Sequence, residues 1–103
     1  MEGIRGAGEE VRHEADRQRF VMAMGGGEGY LEYRRRAEGV LDLTYTFVPR
    51  DERGGGLGRR LVLHVLEHAR ENGLEVVPTC HFVATVIAEH PEYHDLVAGR
   101  NRC

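Results

Sequence analysis

The sequence predicts an α+β domain, an antiparallel meander followed by a strand–helix–strand crossover, and three observations carry that prediction. Apolar residues alternate over residues 20–24, 30–34 and 40–48, and each stretch ends at a glycine-bearing turn or at Pro49. The period then changes. Leu57, Leu61, Val62, Val65, Leu66 and Ala69 recur at spacings of three and four, which is the stripe of an amphipathic helix. Directly after it, Glu75-Val76-Val77-Pro78 returns to strand character.

The elements follow in order. Strand character begins at Val11, and Phe20, Met22 and Met24 alternate with Val21 and Ala23. Gly25-Gly26-Gly27 turns the chain into Tyr30-Leu31-Glu32-Tyr33-Arg34, and Ala37-Glu38-Gly39 turns it again into residues 40–48, rich in β-branched and aromatic side chains. Pro49 ends that strand because it has no N–H to give to a ladder. The helix carries Arg59, Arg60, Glu67 and Arg70 on its polar side and closes at Asn72-Gly73. Residues 40–48, 57–72 and 75–79 therefore form one right-handed parallel unit. Thr79 or Cys80 caps a second helix with apolar positions at Phe82, Val83, Val86 and Ile87, and Pro91 breaks it. Residues 11–97 read as a single domain between loose segments at 1–10 and 98–103, with no internal repeat.

Composition excludes several function classes. With 103 residues, 41% of them apolar and 30% charged, the chain reads as one globular domain. All fourteen Lys+Arg residues are Arg, so neither a Schiff-base lysine nor the lysine of a Walker phosphate loop is available. The absence of serine excludes a serine nucleophile. Net charge is −3, which gives no basic field for nucleic acid. Arg34-Arg35-Arg36 reads as a solvated strand edge flanked by Glu32 and Glu38. No apolar run approaches the ~20 residues needed to span a bilayer, and no signal-peptide core is visible, so a cytoplasmic protein is expected. Cys80 and Cys103 read as free thiols. The histidine pairs His64/His68 and His90/His94 have helical i,i+4 spacing but no third ligand, so capping or solvated roles are expected and no metal site.

The segment Arg53-Gly54-Gly55-Gly56-Leu57-Gly58 opens the long helix. Each glycine costs up to ~1 kcal/mol relative to alanine within a helical turn, so four in five positions need a reason. Glycine lets a ligand approach the backbone closely, and a helix N-terminus adds unpaired N–H groups and the positive end of the dipole. Together they make a phosphate or pyrophosphate cradle, which Arg53, Arg59 and Arg60 can extend. A flexible glycine-rich hairpin explains the glycines alone, but not the order strand, proline turn, glycines, amphipathic helix. A Rossmann fingerprint fits poorly, because the strands before the loop are antiparallel and only one crossover helix follows.

With Arg53, Gly56 and Gly58 at its defining positions, the loop resembles the Gln/Arg-x-x-Gly-x-Gly/Ala pattern of the GCN5-related N-acetyltransferases. The segments Pro78-Thr79-Cys80-His81-Phe82-Val83 and His90-Pro91-Glu92-Tyr93 are similar to a minimal, single-domain subgroup, and the resemblance spans roughly residues 11–97. It implies a truncated acyl-CoA N-acyltransferase fold. It also implies that residues 53–59 hold the pyrophosphate of acetyl-CoA, that the strand ending Thr46-Phe47-Val48 lends backbone groups to the pantetheine arm, and that the strand from Glu75 to Pro78 splays away to admit the thioester. The partner so implied is an amine acceptor, unidentified by the sequence, which also leaves the oligomeric state open. Full-size members build the acceptor pocket from additional N-terminal helices and C-terminal strands.

The residues available for catalysis are few. Cys80 stands between a strand and a helix N-terminus, where it either accepts the acetyl group transiently, lines the acetyl pocket or is an inert small residue, with His81 beside it. Direct transfer needs a base for the amine and an acid for the thiolate, and Tyr93, His90, His81, Glu89 and Asp42 are of suitable type. Tyr93 matches the family's tyrosine acid only loosely and reads more readily as a packing residue. The alternative to an enzyme is a non-catalytic acetyl-CoA-binding module acting as a sensor or docking domain.

Overall fold

The computed structural model describes residues 11–99, so the loose segment expected at 1–10 and all but the first two residues of that expected at 98–103 lie outside the described residues. Five strands form one mixed sheet in the order of the sequence: β1 (Val11–Glu14), β2 (Arg19–Met24), β3 (Gly27–Ala37), β4 (Val40–Phe47) and β5 (Glu75–Val77). The first four pair antiparallel and β5 joins β4 in parallel. The parallel pairing requires a crossover, which α1 (Leu57–Glu71) supplies; α2 (His81–Glu89) and a 3-10 segment (Pro91–Leu96) follow β5.

Period-two alternation decides which side chains meet the helices. Phe20, Met22 and Met24 from β2, Leu31 and Tyr33 from β3, and Leu41 and Leu43 from β4 face Leu61, Val62, Val65, Leu66 and Ala69 of α1 in a single buried cluster. Val83, Val86 and Ile87 of α2 and Tyr93 and Leu96 beyond it close the same cluster. The opposite sheet face carries Tyr30, Tyr45 and Phe47, and Tyr45 remains 48% exposed.

Helix α1 ends as the sequence predicts. Asn72 is the C-cap, the Leu74 N–H bonds the Ala69 carbonyl at 2.8 Å and the Gly73 N–H bonds the Arg70 carbonyl at 3.3 Å. That is the double bond of a Schellman motif. Two features were not expected. The chain between β1 and β2 makes a 3-10 turn (Ala15–Arg17) followed by Gln18 in the left-handed conformation at φ 52°. Arg34 to Arg36 lie on the middle strand of the five rather than on an edge. All three are exposed, and Arg36 is ion-paired to Asp42 at 3.0 Å. Of the strand Glu75–Val77 only Val76 is buried. Val97 adds a parallel bridge to Val76, and the Ala98 N–H bonds the Val76 carbonyl at 2.9 Å.

Leu43 is 0% exposed at the centre of this core, next to the point where β4 and β5 separate. Leu43→Ala is expected to lower the unfolding free energy by about 2–5 kcal/mol. The measurement is a shift of the urea midpoint at unchanged slope, and an unmoved midpoint would refute this placement of the core.

Candidate functional site

The site exists because β5 is short. It pairs with only Val40, Leu41 and Asp42 of β4. Beyond Val77 the chain bends at Pro78, and the last main-chain tie to β4 is a hydrogen bond from the Cys80 N–H to the Leu43 carbonyl at 2.9 Å. The remainder of β4, through Phe47, has no β5 partner and lines an open groove of about 400 Å³. Tyr45, Thr46, Phe47 and Val48 form one wall, and the start of α1, with Gly56, Gly58 and Arg59, forms the other. Phe82 from α2 closes one side, and Glu52, Arg53 and Gly54 from the loop close the mouth.

The loop glycines have separate structural reasons. Gly56 is the N-cap of α1 at φ 88°, a left-handed conformation that costs an ordinary L-residue roughly 1–2 kcal/mol. Nothing lies within 4 Å of a Cβ built there, so the space above it is open. Gly58 is buried, and a Cβ at that position would stand 3.0 Å from Val48 Cγ2 and 3.3 Å from two ring carbons of Phe82. Helix, strand end and second helix meet there so closely that even a methyl group would require Val48 or Phe82 to shift. The Arg60 N–H is the first to bond back into the helix, to the Gly56 carbonyl at 3.1 Å, so the N–H groups before it are the unpaired donors of the helix start. No side chain caps them.

The arginines are already engaged. Arg53 Nε donates to the Val48 carbonyl at 2.9 Å, which braces the loop against the end of β4. Arg59 grips Glu89 of α2 through two hydrogen bonds of 2.8 Å and lies over the Phe82 ring at 5.5 Å. The hydrogen bond to Arg59 holds the Glu89 carboxyl below its ordinary range and raises the guanidinium in turn. This pair is solvent-exposed, so its net contribution to stability is small, and a ligand anion can compete for Arg59 at little cost.

Nearly all the sequence-predicted cofactor positions come together: Phe47, Val48, Arg53, Gly54, Gly56, Gly58 and Arg59 line the groove. Gly55 does not line it, and Leu57 packs against the core instead. Among the predicted catalytic residues, Cys80 is the N-cap of α2, and its Sγ lies 3.6 Å from the hydroxyl of Thr46, one side chain behind the groove wall. His81, the first residue of α2, is exposed. Tyr93 is buried at 7% exposure, and its hydroxyl donates to Glu67 at 2.5 Å. Glu67 lies nine positions beyond Gly58 on α1, about 13 Å along the helix axis, and Tyr93 does not line the groove. Asp42 accepts a hydrogen bond from Thr79 and pairs with Arg36. His90 and His94 contact the carbonyls of Val86 and Ile87 at 2.9 and 3.1 Å, which are capping contacts. Among the described residues no three metal-ligating side chains converge.

Sequence reasoning missed three lining residues, Tyr45, Glu52 and Phe82, whereas Thr46 lies on the strand end it assigned to the pantetheine arm. Phe82 has helical core spacing, and nothing local distinguishes a ring that faces the core from one that faces a groove. Glu52 lies in a 3-10 turn (Arg50–Glu52), packed over the hairpin after β2, where a Cβ at Gly26 would stand 3.0 Å from its carboxylate.

A mixed sheet with one glycine-opened crossover helix and a groove at the parting of two parallel strands defines an N-acetyltransferase-like fold. The family model described as GCN5-related N-acetyl-transferase matches residues 19–96, and the chain belongs to that family. It is similar to Protein NATD1 of Gallus gallus, 27% identical over 84 residues that cover 80% of this chain and 76% of the relative. Protein NATD1 of Homo sapiens is 28% identical over 83 residues, covering 79% and 74%. An NMR solution structure of a GCN5-like protein from Staphylococcus aureus superposes with a TM-score of 0.68 at 25% identity, covering 89% of this chain and 90% of that one. No helix among the described residues is long and apolar enough to cross a membrane.

Burial, and then the hydrogen bond to Glu67, push the Tyr93 hydroxyl up to about 12 from the ordinary 10.0. A group whose folded value is raised contributes stability that is complete below its unfolded value and is lost as pH rises through the folded one. Stability should therefore fall between about pH 10 and pH 12. Tyr93→Phe should flatten that fall when urea midpoints are followed across the range, and an unchanged profile in the variant would assign the fall to other groups.

Proposed function

We propose that the groove binds acetyl-CoA, with the pyrophosphate on the N–H groups that open α1 and the pantetheine arm along Thr46 to Val48, and that the protein transfers the acetyl group to an amine. The observation that carries this reading is the continuity of the groove. It runs from the open cradle at Gly54 and Gly56, past the free stretch of β4, to Thr46 and the adjoining Cys80 thiol. An anion at one end and an extended chain along a strand edge match what each end offers: unpaired donors with a positive dipole, then unpartnered main chain.

The transfer can run by two routes. In the direct route the amine nitrogen attacks the thioester carbonyl, the carbon–sulfur bond breaks, and the coenzyme thiolate takes the proton that the amine loses. In the relayed route the Cys80 sulfur attacks first, the coenzyme carbon–sulfur bond breaks and the Cys80 proton passes to the departing thiolate. The amine nitrogen then attacks the acetyl-Cys80 carbonyl, that carbon–sulfur bond breaks, and the Cys80 thiolate takes the proton the amine loses. The second route uses a side chain that contacts Thr46 in the groove wall, and none of the described lining residues is a histidine.

The second reading is an acetyl-CoA-binding module without turnover, and one observation favours it. Tyr93, the family-like acid, is committed to Glu67 on a different part of α1. A localisation in the cytoplasm accompanies either reading, since acetyl-CoA is a cytoplasmic metabolite and free thiols persist there.

Calorimetric titration with acetyl-CoA tests the binding claim. Gly56→Asp and Gly56→Asn are the informative pair, because both side chains tolerate the left-handed backbone, the space there is open, and only the first adds charge. The aspartate variant should weaken binding at least tenfold, about 1.4 kcal/mol, and the asparagine variant far less. Equal affinities would remove the pyrophosphate from this cradle. For the relay, incubation with acetyl-CoA followed by mass mapping should find Cys80 acetylated, and an unmodified thiol during turnover would leave only direct transfer.

A further inference from the structure

A second cavity, of about 270 Å³, lies on the sheet face away from the helices. The 3-10 turn between β1 and β2 contributes Asp16, Arg17 and Gln18, β3 contributes Glu32 and Arg34, and β4 contributes Thr44. Its architecture is fixed by two hydrogen bonds. The Tyr33 N–H donates to the carbonyl of Gln18 at 3.0 Å, which holds the turn against β3, and the Thr44 hydroxyl donates to the Glu32 carbonyl at 3.1 Å across a bulge. Gln18 is the only non-glycine residue at positive φ among the described residues, so the turn is held in a conformation an L-residue seldom adopts.

The charged side chains of this cavity are not held in ion pairs among the described residues. Arg19 stands opposite Glu32 in the register, yet it bonds Glu14 at 2.7 Å and lies over the Tyr30 ring at 5.4 Å. Asp16, Arg17, Glu32 and Arg34 form no ion pair among the described residues. Glu32 and Arg34 are two residues apart on one strand, so both point to the same face with about 7 Å between them. The ammonium and carboxylate of an α-amino acid are separated by one carbon. With a charge-assisted hydrogen bond of about 2.8 Å at each end, such a zwitterion fits between side chains at that spacing. The cavity also adjoins the groove. Glu32 is directly across from Tyr45, which lines the groove, and Thr44 precedes it in β4.

We propose that this cavity is the acceptor subsite and that the acceptor is a free α-amino acid, its ammonium held by Glu32 and Asp16 and its carboxylate by Arg34 and Arg17. The proposal rests on the acetyl-CoA reading for its role as acceptor, but not for the binding itself. The side chains act as positioning groups: Glu32 brings the amine beside Tyr45, at the wall shared with the groove, and the arginines select for the carboxylate.

The test is an NMR titration of the 15N-labelled protein without coenzyme, using the standard α-amino acids and, for each binder, its amide and its decarboxylated amine. At least one amino acid should shift the amide signals of Gln18, Glu32 and Thr44 saturably, and its amide and amine should bind at least tenfold more weakly. Arg34→Gln should weaken the amino acid about tenfold without changing the amine, whereas Glu32→Gln should weaken both. During turnover, Arg34→Gln should raise KM for the amino acid by a similar factor and leave kcat and the affinity for acetyl-CoA unchanged. Amides that bind as well as acids, or amino acids that leave all three signals unmoved, would overturn the proposal. If an amino acid binds here while acetyl-CoA does not bind the groove, the subsite stands and the acetyl-transfer reading falls. If acetyl-CoA binds and no amino acid does, the reverse holds.

Discussion

The structure depends on the point at which β5 leaves β4. Three residue pairs join them, Pro78 turns the chain, and beyond it one main-chain hydrogen bond, from Cys80 to Leu43, anchors the departing segment together with side-chain bonds from Thr79 to Asp42 and between Cys80 and Thr46. Had the ladder continued, the main chain of Thr44 to Phe47 would be consumed in the sheet and the groove would not exist. The parting is stabilised from beneath. Leu41, Leu43 and Val76 are buried on the helix side and hold the paired portion together, while Phe82 and Val48 pack closely against Gly58 where the strands have separated.

That constraint also explains why the glycine loop has two kinds of glycine. At Gly58 three elements meet, and the missing side chain is a matter of packing density. At Gly54 and Gly56 there is no crowding and the requirement is conformational, φ of 88° at each. A motif that looks uniform in the sequence therefore performs two tasks, closing the core below and leaving donors uncovered above. The Arg59–Glu89 pair lies over this arrangement and ties α1 to α2 across the groove's rim.

The aromatic cluster at the other end of the sheet is unrelated to the groove but holds the first strand. His13 stacks on Phe20 with centroids 4.2 Å apart and contacts the Tyr33 hydroxyl at 2.6 Å, while His68 of α1 approaches the rings of His13 and Phe20 at 5.0 Å. Burial, with the nearby charges of His68 and Arg35, keeps the His13 imidazole below its ordinary range, so it is neutral where it packs. His68, for which the sequence predicted a solvated or capping role, is instead part of this packing.

Much of the fold was legible because it rests on local periodicity. The alternation of Phe20, Met22 and Met24, the three-and-four spacing of Leu57 to Ala69 and the Asn72-Gly73 stop each predict an element that the structure contains. The glycine loop was legible for a similar reason: clustered glycines destabilise the start of an amphipathic helix unless open backbone or close packing is needed there. What the sequence left undecided concerns direction and distance between segments far apart in the chain. Whether Phe82 faced core or groove, whether Tyr93 reached the groove or Glu67, and whether Arg34 to Arg36 lay on an edge strand or a central one depend on how the helices and the sheet pack together. The cavity of Asp16, Glu32, Arg34 and Thr44 draws on three separate stretches of chain, and its shape follows from an unforeseen 3-10 turn. Element type is set by short-range pattern and backbone preference, which one sequence carries. The side a residue faces when its neighbours are polar on both sides is set by long-range packing, and only the tertiary structure decides it.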